Sequence, residues 1–157
     1  MIADRGNPKQ RASDAPKSRA IQSENPDLLA LVIDDPHIVL KSGQVLFSEG
    51  DPPTCMYIVK AGALQIRSGD LVYEDVGPGG IVGEMGLVEK HQTRSATVYA
   101  MTDSELVEID AARFLWLVAQ APSFAIAVMQ CVSRRLRTMD RRYRPSPGLE
   151  RPAARRV

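Results

Sequence analysis

Chemically capable residues are concentrated between Gly79 and Val98, which read Gly-Gly-Ile-Val-Gly-Glu-Met-Gly-Leu-Val-Glu-Lys-His-Gln-Thr-Arg-Ser-Ala-Thr-Val. Gly79, Gly80 and Gly83 leave the backbone free to turn or to approach another group closely. Glu84 to Val88 then reads as one short helical turn. A helix start presents unpaired N–H groups at the positive end of its dipole, which suits phosphate. Arg94 adds a planar fork that matches phosphate oxygens in pairs, and Ser95 adds a hydroxyl donor beside it. Glu84 is the discordant member, because a carboxylate repels a phosphate. It fits if it accepts from a hydroxyl on the same ligand, and a phosphate with a neighbouring sugar hydroxyl describes a nucleotide. The alternative is a structural ion pair between Glu84 and Arg94.

The elements that must hold these groups alternate with period two. Strands are predicted over 37–41, 44–48, 55–60, 63–67, 71–76, 93–100 and 104–109, separated by turn residues such as Ser42-Gly43, Gly50-Asp51-Pro52-Pro53 and Ser68-Gly69-Asp70. Many short strands at regular spacing predict an antiparallel sandwich or barrel, so the chain is mainly β with flanking helices. A short helix is predicted to start at Asn25-Pro26-Asp27 and to end by Pro36, with Asn25 as its cap. Asp110 caps a helix over Ala111 to Gln120, and Pro122 opens the last one. On that helix Phe124, Val128, Val132 and Leu136 form one apolar stripe through about Met139, with Arg134, Arg135 and Arg137 on its polar side. Phe114 and Trp116 are expected to pack as core.

Gly83-Glu84-Met85-Gly86-Leu87 followed by Arg94-Ser95-Ala96 closely resembles the phosphate-binding cassette of the cyclic nucleotide-binding domain family, of the catabolite activator protein, protein kinase A regulatory subunit and bacterial cyclic-nucleotide-gated channel type. The likeness extends through Val39 to Asp51, similar to the family's first hairpin, and Met56 to Gly62, similar to its next strand and turn. It covers roughly 37 to 139. Ser42 stands where the family usually has Pro, which costs the turn some rigidity. The resemblance implies a jelly-roll β-barrel with a short N-terminal helix, a short cassette helix and two C-terminal helices. It implies that Glu84 binds the ribose 2′-hydroxyl and Arg94 the cyclic phosphate. Ser95 and the N–H groups around Gly83, Met85, Gly86 and Ala96 complete the cradle. It also implies a final helix that closes over the purine, with Leu136, Arg137 and Met139 as candidate lid contacts. Members that favour cGMP often carry Thr at the position of Ser95, so the ligand is expected to be cAMP before cGMP.

A length of 157 residues suits one domain, and an apolar content of 44% is that of an ordinary globular protein. The net charge of +1 hides an acidic body: residues 27–140 carry nine Lys/Arg against fifteen Asp/Glu, while 1–26 and 141–157 are basic. Residues 1–24 are rich in Arg, Lys, Ser, Asp, Gln and Pro with few large apolar side chains, and read as a flexible arm. The domain spans 25–140, and 141–157 reads as a basic disordered tail. Cys55 and Cys131 read as buried free thiols, and His37 and His91 are isolated, so no metal site is expected. No nucleophile–base pair supports an enzyme. The expectation is a cytoplasmic, stand-alone receptor, monomeric or homodimeric, with no cofactor beyond its cyclic nucleotide. It would signal occupancy to an unidentified effector protein. No DNA-binding domain is expected, since the residues after Asp140 are few and rich in Pro and Arg, and no membrane segment is expected, since no apolar run approaches spanning length. Two alternatives stand beside this: a degenerate scaffold domain that no longer binds nucleotide, and a nucleic-acid-associated protein acting through its basic ends.

Overall fold

The period-two stretches pair into two antiparallel sheets in the computed structural model, which describes residues 26–89 and 93–142. The strands are β1 (His37–Leu40), β2 (Val45–Phe47), β3 (Cys55–Ala61), β4 (Leu64–Ser68), β5 (Leu71–Val76), β6 (Ile81–Val82), β7 (Thr97–Ala100) and β8 (Ser104–Asp110). One sheet runs β1-β8-β3-β6 and the other β2-β7-β4-β5. The helices are α1 (Pro26–Ala30), α2 (Met85–Val88), α3 (Ala111–Gln120) and α4 (Pro122–Arg142). This is the jelly-roll architecture expected from the sequence, with its flanking helices. The expected arm at 1–24, the Asn25 cap, His91 and the part of the expected 141–157 tail beyond Arg142 lie outside the described residues, while Arg141 and Arg142, expected in that tail, continue α4.

Strand β3 explains why there are two cores. Residues 55 to 59 are all buried, because successive side chains point to opposite faces and both faces are covered. Cys55, Tyr57 and Val59 face the second sheet and pack with Leu64, Ile66, Val76, Val98 and Leu106. Met56 and Ile58 face the helices and pack with Leu28, Val32, Leu117, Phe124 and Val128. Asp110 caps α3 by accepting from the Arg113 N–H at 2.7 Å. Pro122 opens α4 at a position where the missing N–H costs nothing, and the two helices meet at a bend of 113°. Phe124 sits in that corner, edge-on to Phe114 with ring centroids 5.8 Å apart.

Four expectations need correction. The strand expected over 93–100 begins at Thr97, because Arg94 exchanges backbone hydrogen bonds with the preceding turn instead: its N–H donates to Asp51 O, and Gly50 N–H donates to Arg94 O. The two-residue strand β6 was not anticipated, since two residues display no periodicity. Trp116 is not core: it is 53% exposed, with the Arg113 guanidinium 4.5 Å from its ring centroid. At about 100° per residue, placing Leu117 inward turns Trp116 away from the barrel. The α4 stripe is buried only in its first half. Phe124 and Val128 are covered, but Val132 and Leu136 are exposed.

Phe124→Ala should destabilise the domain by about 3–5 kcal/mol, because a fully buried ring is lost at the α3–α4 corner. Urea denaturation at constant m-value checks this.

Candidate functional site

Gly83 is where the backbone demand is most specific. It adopts φ 80°, and a Cβ placed on it would lie 2.5 Å from Arg94 Nη1. That space is taken because Arg94 points inward from the irregular segment 93–96 and is 5% exposed. Its Nη1 donates to Gly83 O at 3.0 Å, its Nη2 donates to Cys55 O at 2.7 Å, and its guanidinium lies 4.1 Å from the Phe47 ring centroid. The Nε–H has no partner among the described residues. Behind it, the Cys55 thiol donates to the Tyr57 hydroxyl at 3.0 Å. Burial, followed by that thiol contact, pushes the Tyr57 phenol above its ordinary pKa. Helix α2 packs so closely on the β2–β3 loop that a Cβ on Gly86 would overlap Pro53.

Glu84 and Arg94 do not pair with each other. Glu84 is 2% exposed and its Oε1 accepts from Arg135 Nη1 at 2.5 Å. The same guanidinium donates through Nε to Glu74 at 2.5 Å and through Nη2 to Ile81 O at 2.8 Å. This corrects the placement of Arg135 on the solvent side of α4. The signal that could have found it is an arginine one residue from the apolar stripe, at Leu136, facing a chain with two inward acids. Burial opposes the charge on Arg135, but the carboxylates of Glu84 and Glu74 outweigh it and hold its pKa above the ordinary value.

These groups border a cavity of about 410 Å³, within the range of about 300–1,000 Å³ typical of small-molecule sites. Gly83, Glu84, Met85, Gly86, Arg94, Ser95 and Ala96 all line it. Ser95 is exposed, with Oγ 3.9 Å from Met85 Sδ. From α4 come Val132, Arg135, Leu136 and Met139, while Phe47, Ile66, Tyr73 and Val98 give an apolar wall. Of the three lid candidates, Leu136 and Met139 reach the cavity. Arg137 is exposed and donates to Ser133 Oγ one turn back on its own helix, because at 100° per residue it is rotated off the face carrying Leu136. The arrangement offers a cation and a hydroxyl for an anion at one end, a buried carboxylate for a hydroxyl, and an apolar slot for a flat group. Among the described residues no cluster of three His, Cys, Asp or Glu comes together to hold a metal. No single helix among them is long and apolar enough to cross a membrane.

A cyclic nucleotide-binding domain model matches residues 37–121, more than half of the chain, and the chain belongs to that family. It is 33% identical over 102 residues to a putative potassium channel protein of Rhodopseudomonas palustris, a match covering 61% of this chain and 24% of the relative. It is 30% identical over 103 residues to lysophospholipase NTE1 of Mycosarcoma maydis, covering 63% of this chain and 5% of that enzyme. The chain therefore spans between 5% and 24% of the length of these two relatives. Among solved structures it is similar to one from a cyclic-GMP-dependent signalling pathway that regulates bacterial phytopathogenesis, with a TM-score of 0.65 and 30% identity over 73% of this chain and 96% of that one. It is also similar, at 31% identity, to an EAL enzyme in its cAMP-bound and cGMP-bound forms. The TM-scores are 0.51 and 0.52, with 66% and 68% of this chain and 29% and 30% of that one covered.

Gly83→Ala should cost about 1–3 kcal/mol of stability, since a side chain must be forced into the left-handed region while Arg94 is displaced from Gly83 O. Thermal unfolding beside the wild type measures it.

Proposed function

We propose that this domain is a non-enzymatic cyclic nucleotide receptor that prefers cAMP and passes occupancy to a separate effector protein by movement of α4. The observation that carries it is the buried Arg94 guanidinium at the rim of a cavity that Ser95, Glu84 and the turn at Gly83 also line. Arg94 and Ser95 hold the cyclic phosphate together with the N–H groups of the cassette. Glu84 accepts from the ribose 2′-hydroxyl. The purine lies along the apolar wall, where Leu136 and Met139 cover it. Support for a cyclic nucleotide as ligand comes from family membership and from the similar enzyme that takes both cAMP and cGMP. Support for cAMP comes from Ser95, a position where cGMP-preferring members of the family often carry Thr. The domain limits that go with this are 25–140, with the segments on either side outside the binding unit.

Support for α4 as the moving part is its uneven burial. Beyond Cys131 none of its apolar side chains is buried, so packing alone does not fix the half that reaches the cavity. A ligand touching that half stabilises it only by its preference for the closed arrangement.

In calorimetry, the wild type should bind cAMP and Arg94→Ala should lose about 2–5 kcal/mol of binding, because the phosphate charge is left in a desolvated cradle. Glu84→Ala should lose less, and cGMP should fail to outcompete cAMP. Wild-type affinity in Arg94→Ala would overturn the site, and the absence of any cAMP binding would overturn the function.

Hydrogen exchange should show amides 132–139 protected on cAMP addition together with the cassette. Truncation after Val132 should weaken binding while the barrel stays folded. Identical exchange with and without ligand would exclude α4 as the reporter.

A further inference from the structure

Strand β5 carries a carboxylate where its pattern calls for an apolar residue. The β4–β5 register opposes Leu64 to Val76 and Ile66 to Glu74. Directly opposed residues share a face of the sheet. Leu64, Ile66 and Val76 are all buried between the sheets, so Glu74 stands on the inward side. The register then slips, pairing Arg67 with Val72 and leaving Tyr73 as an extra residue. That slip brings Tyr73, not Glu74, to the cavity wall.

An inward carboxylate is costly unless it is paired. Its partner comes from another element, as Arg135 Nε of α4 at 2.5 Å. All three nitrogens of that guanidinium are engaged, with Glu74 on β5, Glu84 beside the cassette and the carbonyl of Ile81 on β6. The side chains of Glu74, Arg135 and Glu84 are 24%, 15% and 3% exposed. Glu84 alone balances the charge of Arg135, so a second carboxylate is not required for neutrality. What Glu74 adds is orientation. Anchoring Nε fixes the plane of the fork, and with it the direction in which Nη1 points.

We propose that Glu74 is a positioning residue: it turns the Arg135 guanidinium so that Nη1 faces Glu84, which holds the distal half of α4 over the cavity and keeps the Glu84 carboxylate aimed at the sugar hydroxyl. This rests on the proposed role of Glu84 toward the ribose. Glu74 does not touch the ligand. It acts through Arg135, linking the edge strand of one sheet to the ribose end of the site.

The test is Glu74→Leu in the full chain, which keeps the side chain's approximate size and removes the acceptor for Arg135 Nε. Without ligand, amides 132–139 should exchange faster than in the wild type while those of β4 and β5 do not change. General damage to the sheet would move the β4 and β5 amides as well. With ligand, the affinity for cAMP should fall by about three- to thirtyfold. The loss for the 2′-deoxy analogue of cAMP should be at least about threefold smaller, because that analogue lacks the hydroxyl through which the coupling runs. In an Arg135→Gln background, Glu74→Leu should have no further effect on cAMP affinity. Equal losses for the two nucleotides, an undiminished effect without Arg135, or unchanged exchange over 132–139 would each overturn the proposal. If the wild type binds cAMP and its 2′-deoxy analogue equally, the role of Glu84 fails separately. The exchange measurement then still decides whether Glu74 holds α4: faster exchange confined to 132–139 supports that hold, and unchanged exchange overturns it.

Discussion

The burial of one guanidinium organises this domain. Arg94 is almost wholly removed from water, yet no carboxylate among the described residues pairs with it; it is held by the carbonyls of Gly83 and Cys55 and the face of Phe47. Three separate segments must converge to provide those groups: strand β3, the turn before α2 and the end of β2. A buried cation solvated by dipoles and a ring, with donor capacity still unused at Nε, is a place where an incoming anion gains more than it would at the surface. Gly83 lacks a side chain for the same reason: the space its Cβ would fill is the space Arg94 needs.

The second polar centre differs in kind. Arg135 is paired with two acids, and the three charged groups join α4, β5 and the cassette. Helix α4 is packed firmly at its start, where Phe124 and Val128 enter the core, and this cluster ties its far half to β5, β6 and the cassette. Polar ties of this sort depend on geometry more steeply than apolar burial does. The change from buried to exposed along α4 follows from where its apolar side chains leave the core.

The two cores assign different tasks to the two faces of β3. The face toward the second sheet supports the cavity and its cassette, and the face toward the helices anchors α1, α3 and the start of α4. One strand therefore forms the boundary between the two cores. The Cys55–Tyr57 contact lies on that boundary directly behind Arg94, where a buried phenol resists ionisation.

Local information sufficed for much of this. Period-two runs marked most strands, and Asp110 and Pro122 placed the ends of α3 and α4 because caps and proline act through their immediate neighbours. The cassette residues Gly83, Glu84, Met85, Gly86, Arg94, Ser95 and Ala96 were legible because their spacing is itself the motif, and all of them border one cavity. Other features depended on contacts that no local window contains. Residues 93–96 leave the strand pattern because the Gly50-Asp51 turn, more than 40 positions away, takes up the backbone of Arg94. Trp116 and Leu117 differ by one step of helix rotation, and only the position of the barrel says which one is inside. Arg135 reads in sequence as one more arginine in a basic run. It becomes part of the site because folding brings Glu74 and Glu84 to it across 61 and 51 residues, and the burial of its charge depends on those partners.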